Sequence, residues 1–337
     1  MLRHSTDSKP GITRQKNGTS WAYFGPDGKR IADREEIDRL NAIALPPAYA
    51  DAWYCPDPDG HLQATGRDAR GRKQYRYHDA FRAKRDESKY GNTLEFGAAL
   101  PRIRKRVEAN LKKRKLSRDT VLAAVVRLLD TQYIRIGNEQ YARTNKSFGA
   151  TTLRSRHLRK TGNKLIMKFT GKHGIVHEVA VTDANLKRIV ARCQDLPGQN
   201  LFQYVGDDNE PHAVTSADVN AYLREASSGE FTAKSFRTWG ASVIAFEQML
   251  ASKEGQRLSV KTMVEPVAQA LGNTVAMSRK SYVHPRLIEA VRDDPRDALA
   301  GFKPPRARRW LSAAEVGMIA FFKKQPRRRK ADSRTKT

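Results

Sequence analysis

Three polar side chains in the last third of the chain could together break a phosphodiester bond. Arg237 lies in the segment Lys-Ser-Phe-Arg-Thr-Trp-Gly, Asn273 follows Leu-Gly, and Tyr282 follows Ser-Arg-Lys-Ser. A phenolic oxygen can attack phosphorus while a guanidinium group and an amide hold the phosphate oxygens. These residue types and their order indicate phosphoryl transfer at a tyrosine.

Two cations earlier in the chain could complete such a site. Arg135, in Tyr-Ile-Arg-Ile-Gly-Asn, follows a predicted apolar helix, and Lys172 lies in Gly-Lys-His-Gly between two apolar segments. The transition state spreads negative charge over the non-bridging oxygens, which a second guanidinium group would stabilise. The leaving oxygen needs a proton, and a lysine close to guanidinium groups can supply it. Taken singly, each side chain could equally be a solvated or phosphate-contacting cation.

The charge of the chain indicates which class of phosphate-containing molecule it binds. The 337 residues include 63 Lys and Arg against 36 Asp and Glu, for a formal net charge of +27. A polyanion such as nucleic acid is the natural partner of so basic a chain. A basic membrane-binding surface is the alternative, but the basic residues are spread along the whole sequence and do not form one amphipathic helix. We therefore expect double-stranded DNA as the partner and no membrane.

The sequence predicts neither a metal nor another cofactor. Cys55 and Cys193 are too few and too far apart for a disulfide framework or a four-ligand metal site. The acidic clusters Asp57/Asp59 and Asp207–Glu210 lie in turn-like sequence and need no ion. The N-terminus lacks the apolar stretch of a secretory signal, and no apolar run approaches the length needed to cross a bilayer. We expect a cytoplasmic, nucleoid-associated protein.

Pattern changes along the chain predict an α+β protein with two domains. Residues 1–90 alternate short apolar runs with Gly- and Pro-rich turns, which is typical of a small β-rich domain. Helical periodicity is visible from about residue 97, so residues 91–326 form a larger, mainly α domain, joined to the first near 88–97. Residues 327–337 form a basic tail that we expect to be disordered.

Three local signals locate elements in the second domain. Ser117 can cap a helix with one apolar face, and Arg135 follows the end of that helix. The apolar segments 164–170 and 175–181 predict a β-hairpin with Lys172 in its turn. Ser312-Ala-Ala-Glu is a capping box that opens a helix near the end of the chain.

An aromatic segment in the first domain has its own nucleic-acid interpretation. Tyr75 and Tyr77 alternate along a predicted strand, so both point to one face, where hydroxyls can reach phosphates and rings can pack on bases or sugars. Gln74, which directly precedes Tyr75, can pair with an adenine edge. The alternative is a half-buried edge strand without a role in binding.

The ordered set Arg135, Lys172, Arg237, Asn273 and Tyr282 resembles the site of the type IB DNA topoisomerases, of the compact poxvirus-like kind found in bacteria. The resemblance covers nearly the whole chain. Its N-terminal part rests on Pro-Asp-Pro-Asp-Gly-His-Leu-Gln-Ala-Thr-Gly-Arg-Asp-Ala-Arg-Gly-Arg-Lys-Gln-Tyr-Arg-Tyr-His, which is residues 56–78.

The resemblance implies a role for each member of the set. Tyr282 would be the nucleophile that becomes linked to a DNA 3′-phosphate, Arg135 and Arg237 would clamp the scissile phosphate, and Lys172 would protonate the 5′ oxygen. Such an enzyme relaxes positive and negative supercoils through transient single-strand cleavage and resealing, without ATP or metal.

The resemblance also implies how DNA is held. The segment with Gln74, Tyr75 and Tyr77 would enter the major groove opposite the catalytic domain, so that the two domains of a monomer close around the duplex as a clamp. Tyr141 would contact DNA as well, and we assign Lys234 to DNA binding.

Asn273 departs from the histidine that poxviral and eukaryotic members carry. An asparagine amide can donate to a non-bridging oxygen but cannot bring the positive charge of an imidazolium. Phosphate positioning is therefore expected to survive, while the size of its contribution to the rate is open. Asn273 could instead only close a turn after Gly272.

Three other functions could account for part of the sequence. A tyrosine recombinase should show His-x-x-Arg ahead of its second arginine, but Lys234 stands in the histidine position. A metal-dependent nuclease needs converging carboxylates, which the acidic turns do not indicate. A non-catalytic architectural DNA-binding protein explains the charge but leaves the ordered set without a purpose, and Tyr282→Phe separates it from an enzyme.

Overall fold

The computed structural model describes residues 1–162, 164–252, 258–293, 298–300, 302–303 and 305–323, without the side chains of residues 83–89. The basic tail expected at 327–337 lies outside the described residues. The chain divides into two compact units, Met1–Lys89 and Tyr90–Thr337. The first is β-rich and the second mainly helical, so the predicted α+β class is confirmed.

The first unit contains a hairpin, a helix and a three-stranded antiparallel sheet. Strands β1 and β2 form the hairpin, helix α1 follows, and β4 lies between β3 and β5 in the sheet. The elements are β1 Thr13–Asn17, β2 Ser20–Phe24, α1 Arg34–Ala42, β3 Ala50–Tyr54, β4 Leu62–Arg67 and β5 Lys73–Tyr77. A small core holds them together, with Leu40 of α1 packed among Ile12, Tyr23, Leu45, Tyr54 and Ala64.

The second unit is a helical assembly with one three-stranded sheet and a short hairpin. Its helices are α2 Asp79–Leu111, which starts in the first unit, α3 Arg118–Gln132, α4 Glu139–Asn145, α5 Ala184–Gln194, α6 Ser216–Ser227, α7 Ala233–Ala251, α8 Val260–Leu271, α9 Val275–Ser281, α10 Pro285–Asp293 and α11 Ala313–Lys323. Its strands are β6 Leu158–Thr161, β7 Lys164–Thr170, β8 Val176–Val181, β9 Gln203–Val205 and β10 Pro211–Ala213.

Helix α3 lies at the centre of the second unit. The prediction of a single apolar face was wrong, because Thr120–Val126, Leu128 and Leu129 are all buried. A helix that is apolar all round is typical of a buried core position. Ser117 is the N-cap residue as predicted, but its hydroxyl pairs with Thr120 Oγ1 at 3.1 Å and caps no backbone N–H.

The predicted β-hairpin is present as β7 and β8, which pair in antiparallel register. Strand β6, which was not predicted, extends it to a three-stranded sheet. Helix α2 begins at Asp79, well before the point near residue 97 at which helical periodicity is visible. Gly97 lies inside this helix, where the close approach of Trp239 requires a glycine. A Cβ at this position would stand 2.2 Å from the Trp239 ring.

A buried ion network ties α11 to the centre of the unit. Arg104 of α2 donates to both carboxylate oxygens of Asp130 and to both of Glu315, each at 2.8 Å. Glu315 also accepts from Trp239 Nε1 at 2.8 Å, which anchors α7. The capping box is confirmed, since Ser312 and Glu315 exchange backbone-to-side-chain bonds of 2.8 and 3.2 Å. Removing one partner would leave a buried charge unpaired, which is the costly event in such networks.

Within the described ranges, no helix is long and apolar enough to span a membrane.

Candidate active site

Arg135 lies in the extended segment that follows α3. The helix stops at Tyr133, whose backbone is left-handed with a φ of 50°. The carbonyl of Arg135 accepts from Ala150 N at 2.8 Å, and a Cβ on neighbouring Gly149 would come within 2.5 Å of that carbonyl oxygen. Only glycine therefore permits this close approach. With its backbone fixed, Arg135 donates from Nη2 to Asn273 Oδ1 at 2.8 Å.

Arg237, on the first turns of α7, is 3% exposed and links the C-terminal ends of α3 and α8. Its Nη1 donates to the carbonyl of Tyr133, and its Nη2 donates to the carbonyl of Leu271 at 3.0 Å. Gly240, one turn later on the same helix, leaves room for Tyr133, because a Cβ there would stand 2.1 Å from the tyrosine ring. The close packing at Gly240 thus brings the Arg135 loop against the helix that carries Arg237.

Asn273 lies in the turn between α8 and α9. Gly272 ends α8 with a left-handed φ of 57°, and Asn273 N donates to Ala268 O at 3.0 Å. Thr274 then caps α9, accepting from Met277 N at 3.2 Å. Asn273 therefore does close a turn through its backbone, while its side chain is directed to Arg135.

Tyr282 is the residue at which α9 ends. Its backbone N–H donates to Ser278 O at 3.0 Å, and its half-buried ring has its centroid 4.9 Å from the Arg237 guanidinium carbon. Ser242 Oγ of α7 lies 3.5 Å from the Tyr282 carbonyl and accepts from His284 N at 3.1 Å. Helix α7 thus contributes both the neighbouring cation and an anchor for the tyrosine backbone.

The charges around Tyr282 favour its ionised form. Burial alone would raise the pKa of Tyr282, but the charge and hydrogen bonding of Arg237, with the charges of Arg135 and Lys234, hold it below the ordinary value. Burial, followed by repulsion from Arg135, lowers the pKa of Arg237. Two guanidinium groups at one site repel each other, and an anion between them relieves that repulsion.

Three donors of this cluster have no acceptor among the described residues. They are Arg135 Nη1, Arg237 Nε and Asn273 Nδ2, and each is buried. A buried donor without a partner costs about 1–3 kcal/mol. Several at one place therefore indicate a ligand that accepts hydrogen bonds, and a phosphate offers only acceptors. The site can therefore hold a phosphate next to a tyrosine whose ionisation is favoured.

Lys172 lies in the short helical turn Lys172–Gly174 between β7 and β8 and is exposed. Among the described residues, Lys172 has no hydrogen bond or ion pair. The structure thus brings Arg135, Arg237, Asn273 and Tyr282 together, whereas Lys172 lies on an exposed turn and contacts none of these four through a hydrogen bond.

The other residues expected to bind DNA lie in both units. In the first unit Tyr75 is 49% exposed, with its ring stacked on Tyr77 at 6.2 Å between centroids, as the alternation predicted. Gln74 donates to Asp68 Oδ2 at 3.0 Å, so part of its amide is engaged. In the second unit Tyr141 of α4 is 52% exposed, and Lys234 is exposed on the first turn of α7.

Sequence reasoning missed Ser242, Gly240 and the carbonyl of Tyr133. Their contacts join elements far apart in the chain, and only the Trp-Gly pair after Arg237 carried a signal of close packing. Metal ligands were not expected, and the described residues contain no group of three or more His, Cys, Asp or Glu side chains that could hold an ion.

The sequence was compared with protein families and with known proteins. Residues 78–297 match the family described as eukaryotic DNA topoisomerase I, catalytic core, and residues 20–68 match bacterial DNA topoisomerase IB, N-terminal domain. DNA topoisomerase 1B of Acanthamoeba polyphaga mimivirus is 30% identical over 298 residues, covering 85% of this chain and 88% of the relative. DNA topoisomerase 1B of Vaccinia virus (strain Copenhagen) is 21% identical over 297 residues, covering 81% and 90%. The chain belongs to the type IB DNA topoisomerase family and is a DNA-binding isomerase.

Proposed function

We propose that this enzyme relaxes positive and negative supercoils by cutting one strand of double-stranded DNA and resealing it. The observation that supports this most is the cluster of unpartnered buried donors beside Tyr282, whose pKa is lowered by the same cations. A phosphodiester placed there would receive hydrogen bonds from Arg135, Arg237 and Asn273 while the tyrosine oxygen lies close by.

In the cleavage step, Tyr282 first loses its phenolic proton to solvent, which its lowered pKa favours, and the phenolate oxygen then attacks phosphorus and forms a 3′-phosphotyrosyl bond. The bond from phosphorus to the 5′ oxygen breaks, and Lys172 gives that oxygen its proton. Negative charge on the non-bridging oxygens increases in the transition state, where the fixed donors of Arg135 and Arg237 stabilise it. Each such donor contributes about 10²–10³ in rate.

Resealing is the reverse of this step. After the free strand has swivelled, the 5′ hydroxyl attacks phosphorus, Tyr282 leaves, and Lys172 takes back the proton. Because the phosphotyrosyl bond conserves the energy of the phosphodiester, the cycle needs no ATP. Arg135, Arg237 and Lys172 supply the positive charge and the proton, so we propose that no metal ion is needed.

The first unit is proposed to grip the duplex. Exposed Tyr75, stacked on Tyr77, offers hydroxyls and ring faces to DNA, and Gln74 on the same strand offers an amide. With Tyr141 and Lys234 of the second unit, these residues would let a monomer close around the duplex as a clamp. The net charge of +27 supports residence on DNA, and we place the enzyme on the nucleoid in the cytoplasm.

Relaxation of supercoiled plasmid tests the proposal. The purified chain should remove supercoils of both signs in EDTA without nucleotide, and Tyr282→Phe should bind the plasmid without relaxing it. A strict requirement for Mg²⁺ or ATP in a single round of relaxation would exclude this mechanism. Persistent relaxation by Tyr282→Phe would exclude the assigned nucleophile.

A further inference from the structure

His177 occupies a place that the proposed mechanism does not use. It lies on β8 directly opposite Phe169 of β7, and its ring stacks on that of Phe169, with 5.1 Å between centroids and 18° between planes. The imidazole is half-buried, and His177 lies on β8 three residues after the turn Lys172–Gly174. A rigid aromatic pair therefore supports the base of the turn that carries the proposed proton donor.

The edge of the His177 ring lies between two glycines. A Cβ on Gly171 would stand 2.7 Å from both Cδ2 and Nε2, and a Cβ on Gly272 would stand 2.9 Å from Cε1. At distances this short, a Cβ on either glycine would force the His177 ring to shift. The ring thus fills the space that both glycines leave open.

These two glycines immediately precede two residues of the site. Gly171 is followed by Lys172, and Gly272 is followed by Asn273. Neither glycine has a side chain at the contact, and a Cβ on Gly272 would also stand 3.5 Å from Ile175 Cγ2. Lys172 forms no hydrogen bond or ion pair within the described ranges. The separation of the two loops therefore depends on what lies between them.

The electrostatic environment matches a neutral ring. Burial, followed by the charges of Arg135 and Arg237, lowers the pKa of His177. A neutral imidazole can lie beside two guanidinium groups without adding to their repulsion.

Resting on the proposed function, we propose that His177 is a positioning residue that holds the Lys172 turn at a fixed distance from the Gly272–Asn273 turn. The proton donor and the phosphate-binding amide are then kept in register across one phosphodiester. His177 touches neither the phosphate nor the leaving oxygen in this role, and it acts through the place of Lys172.

Single-turnover cleavage of two matched duplex oligonucleotides tests the inference. One duplex carries the ordinary 5′ oxygen at the cleavage site and the other carries sulfur there, because a thiolate leaves without needing a proton. His177→Ala should slow cleavage of the oxygen duplex by about 10–100-fold, since small displacements of a catalytic group have effects of this size. The His177→Ala variant should cleave the sulfur duplex at nearly the wild-type rate.

His157→Ala is the matched control. His157 is also half-buried and lies 6.5 Å from the Phe169 ring, but its close ring contact is Phe148 at 4.4 Å, away from both glycines. It should cleave both duplexes at the wild-type rate. His177→Phe keeps a ring between the glycines and should restore most of the oxygen-duplex rate. Equal loss on both duplexes in His177→Ala, or no loss on either, would overturn the inference.

Gly171→Ala provides a second route should His177→Ala fail to fold. Its φ is −92°, so alanine costs no backbone strain and acts only through the ring contact. A selective defect on the oxygen duplex is expected from Gly171→Ala alone, and equal loss on both duplexes, or no loss on either, would contradict the contact. Where His177→Ala does fold, the double variant should be no slower than the slower single variant. If wild type formed no adduct, the proposed function would fail. If wild type cleaved but sulfur did not rescue Lys172→Ala, the general-acid role of Lys172 and the inference about His177 would both be contradicted, while the proposed cleavage through Tyr282 would stand.

Discussion

Arg135 and Asn273 share a hydrogen bond of 2.8 Å although they lie 138 residues apart in the chain. Because the Asn273 carbonyl oxygen accepts this bond, its amide nitrogen is the group left for a ligand, and that nitrogen is buried without a partner in the described structure. Arg135 thereby fixes the orientation of the Asn273 side chain and leaves its amide nitrogen free to donate. In the proposed mechanism this amide is an oriented donor to the phosphate that carries no charge.

Asn273→Asp should therefore be more damaging than Asn273→Ala. Aspartate keeps the acceptor for Arg135 but replaces the donor with an anionic oxygen at the phosphate. Adduct formation should fall by on the order of 10² or more with aspartate, the effect of losing one fixed donor plus repulsion. Single-turnover cleavage rates of the two variants make the comparison, and equal rates would show that Asn273 does not face the phosphate.

Arg135→Ala and Arg237→Ala should each slow adduct formation by about 10²–10³-fold. The loss should be the same on oxygen- and sulfur-bridged duplexes, because stabilisation of transition-state charge does not depend on the leaving group. Lys172→Ala is the comparison variant and should be rescued selectively by sulfur. Selective rescue of either arginine variant would contradict its assignment to the phosphate.

Ser242→Ala should lower the cleavage rate without weakening DNA binding. The hydroxyl of Ser242 joins Thr238 O at 2.9 Å to the backbone of Tyr282 and His284, so its loss frees the segment that carries the nucleophile. Ser227→Ala is matched, since Ser227 Oγ makes the same kind of buried bond to Leu223 O at 2.6 Å.

The Ser227 variant should lose stability but keep the rate per folded molecule. Cleavage at enzyme excess, normalised to the folded fraction from thermal unfolding, separates the two effects. Equal normalised rates for Ser242→Ala and Ser227→Ala would show that Ser242 has no positioning role.

Lys234→Ala should shift the pH dependence of cleavage. The rate should rise with pH as Tyr282 ionises, and the cations around Tyr282 place this rise at lower pH by lowering its pKa. Removing the charge of Lys234 raises that pKa again, so the rise should move to higher pH and the rates should converge in alkali. Lys261→Ala on α8, whose partner is Glu265, is the control. A rise at unchanged pH in Lys234→Ala would contradict the electrostatic account.

The sequence singles out Arg135, Lys172, Arg237, Asn273 and Tyr282 as an ordered set, because phosphoryl transfer requires specific residue types. The fold brings four of the five together, and Lys172 lies on an exposed turn. Their common site could not be derived from spacing, because it depends on packing such as that of Gly240 against Tyr133.

Other features could not be predicted because they depend on contacts between residues that are far apart in the sequence, or because they lack the usual hydrophobic pattern. Strand β6, Leu158–Thr161, carries three exposed polar residues and one buried leucine, so it lacks the apolar alternation of a strand. Gly97 reads as a helix breaker, but its role is to admit Trp239. The contacts of Ser242 and His177 join different elements, and no hydrophobic periodicity in the sequence indicates them.

Identification of the residue that becomes attached to DNA tests the central claim most directly. A duplex that traps the cleaved intermediate should be incubated with the chain in EDTA, digested with protease, and analysed by mass spectrometry. The account predicts a single 3′-phosphotyrosyl peptide that contains Tyr282 and disappears in Tyr282→Phe. An adduct on another residue, a 5′-phosphate linkage, or cleavage without any covalent adduct would contradict it.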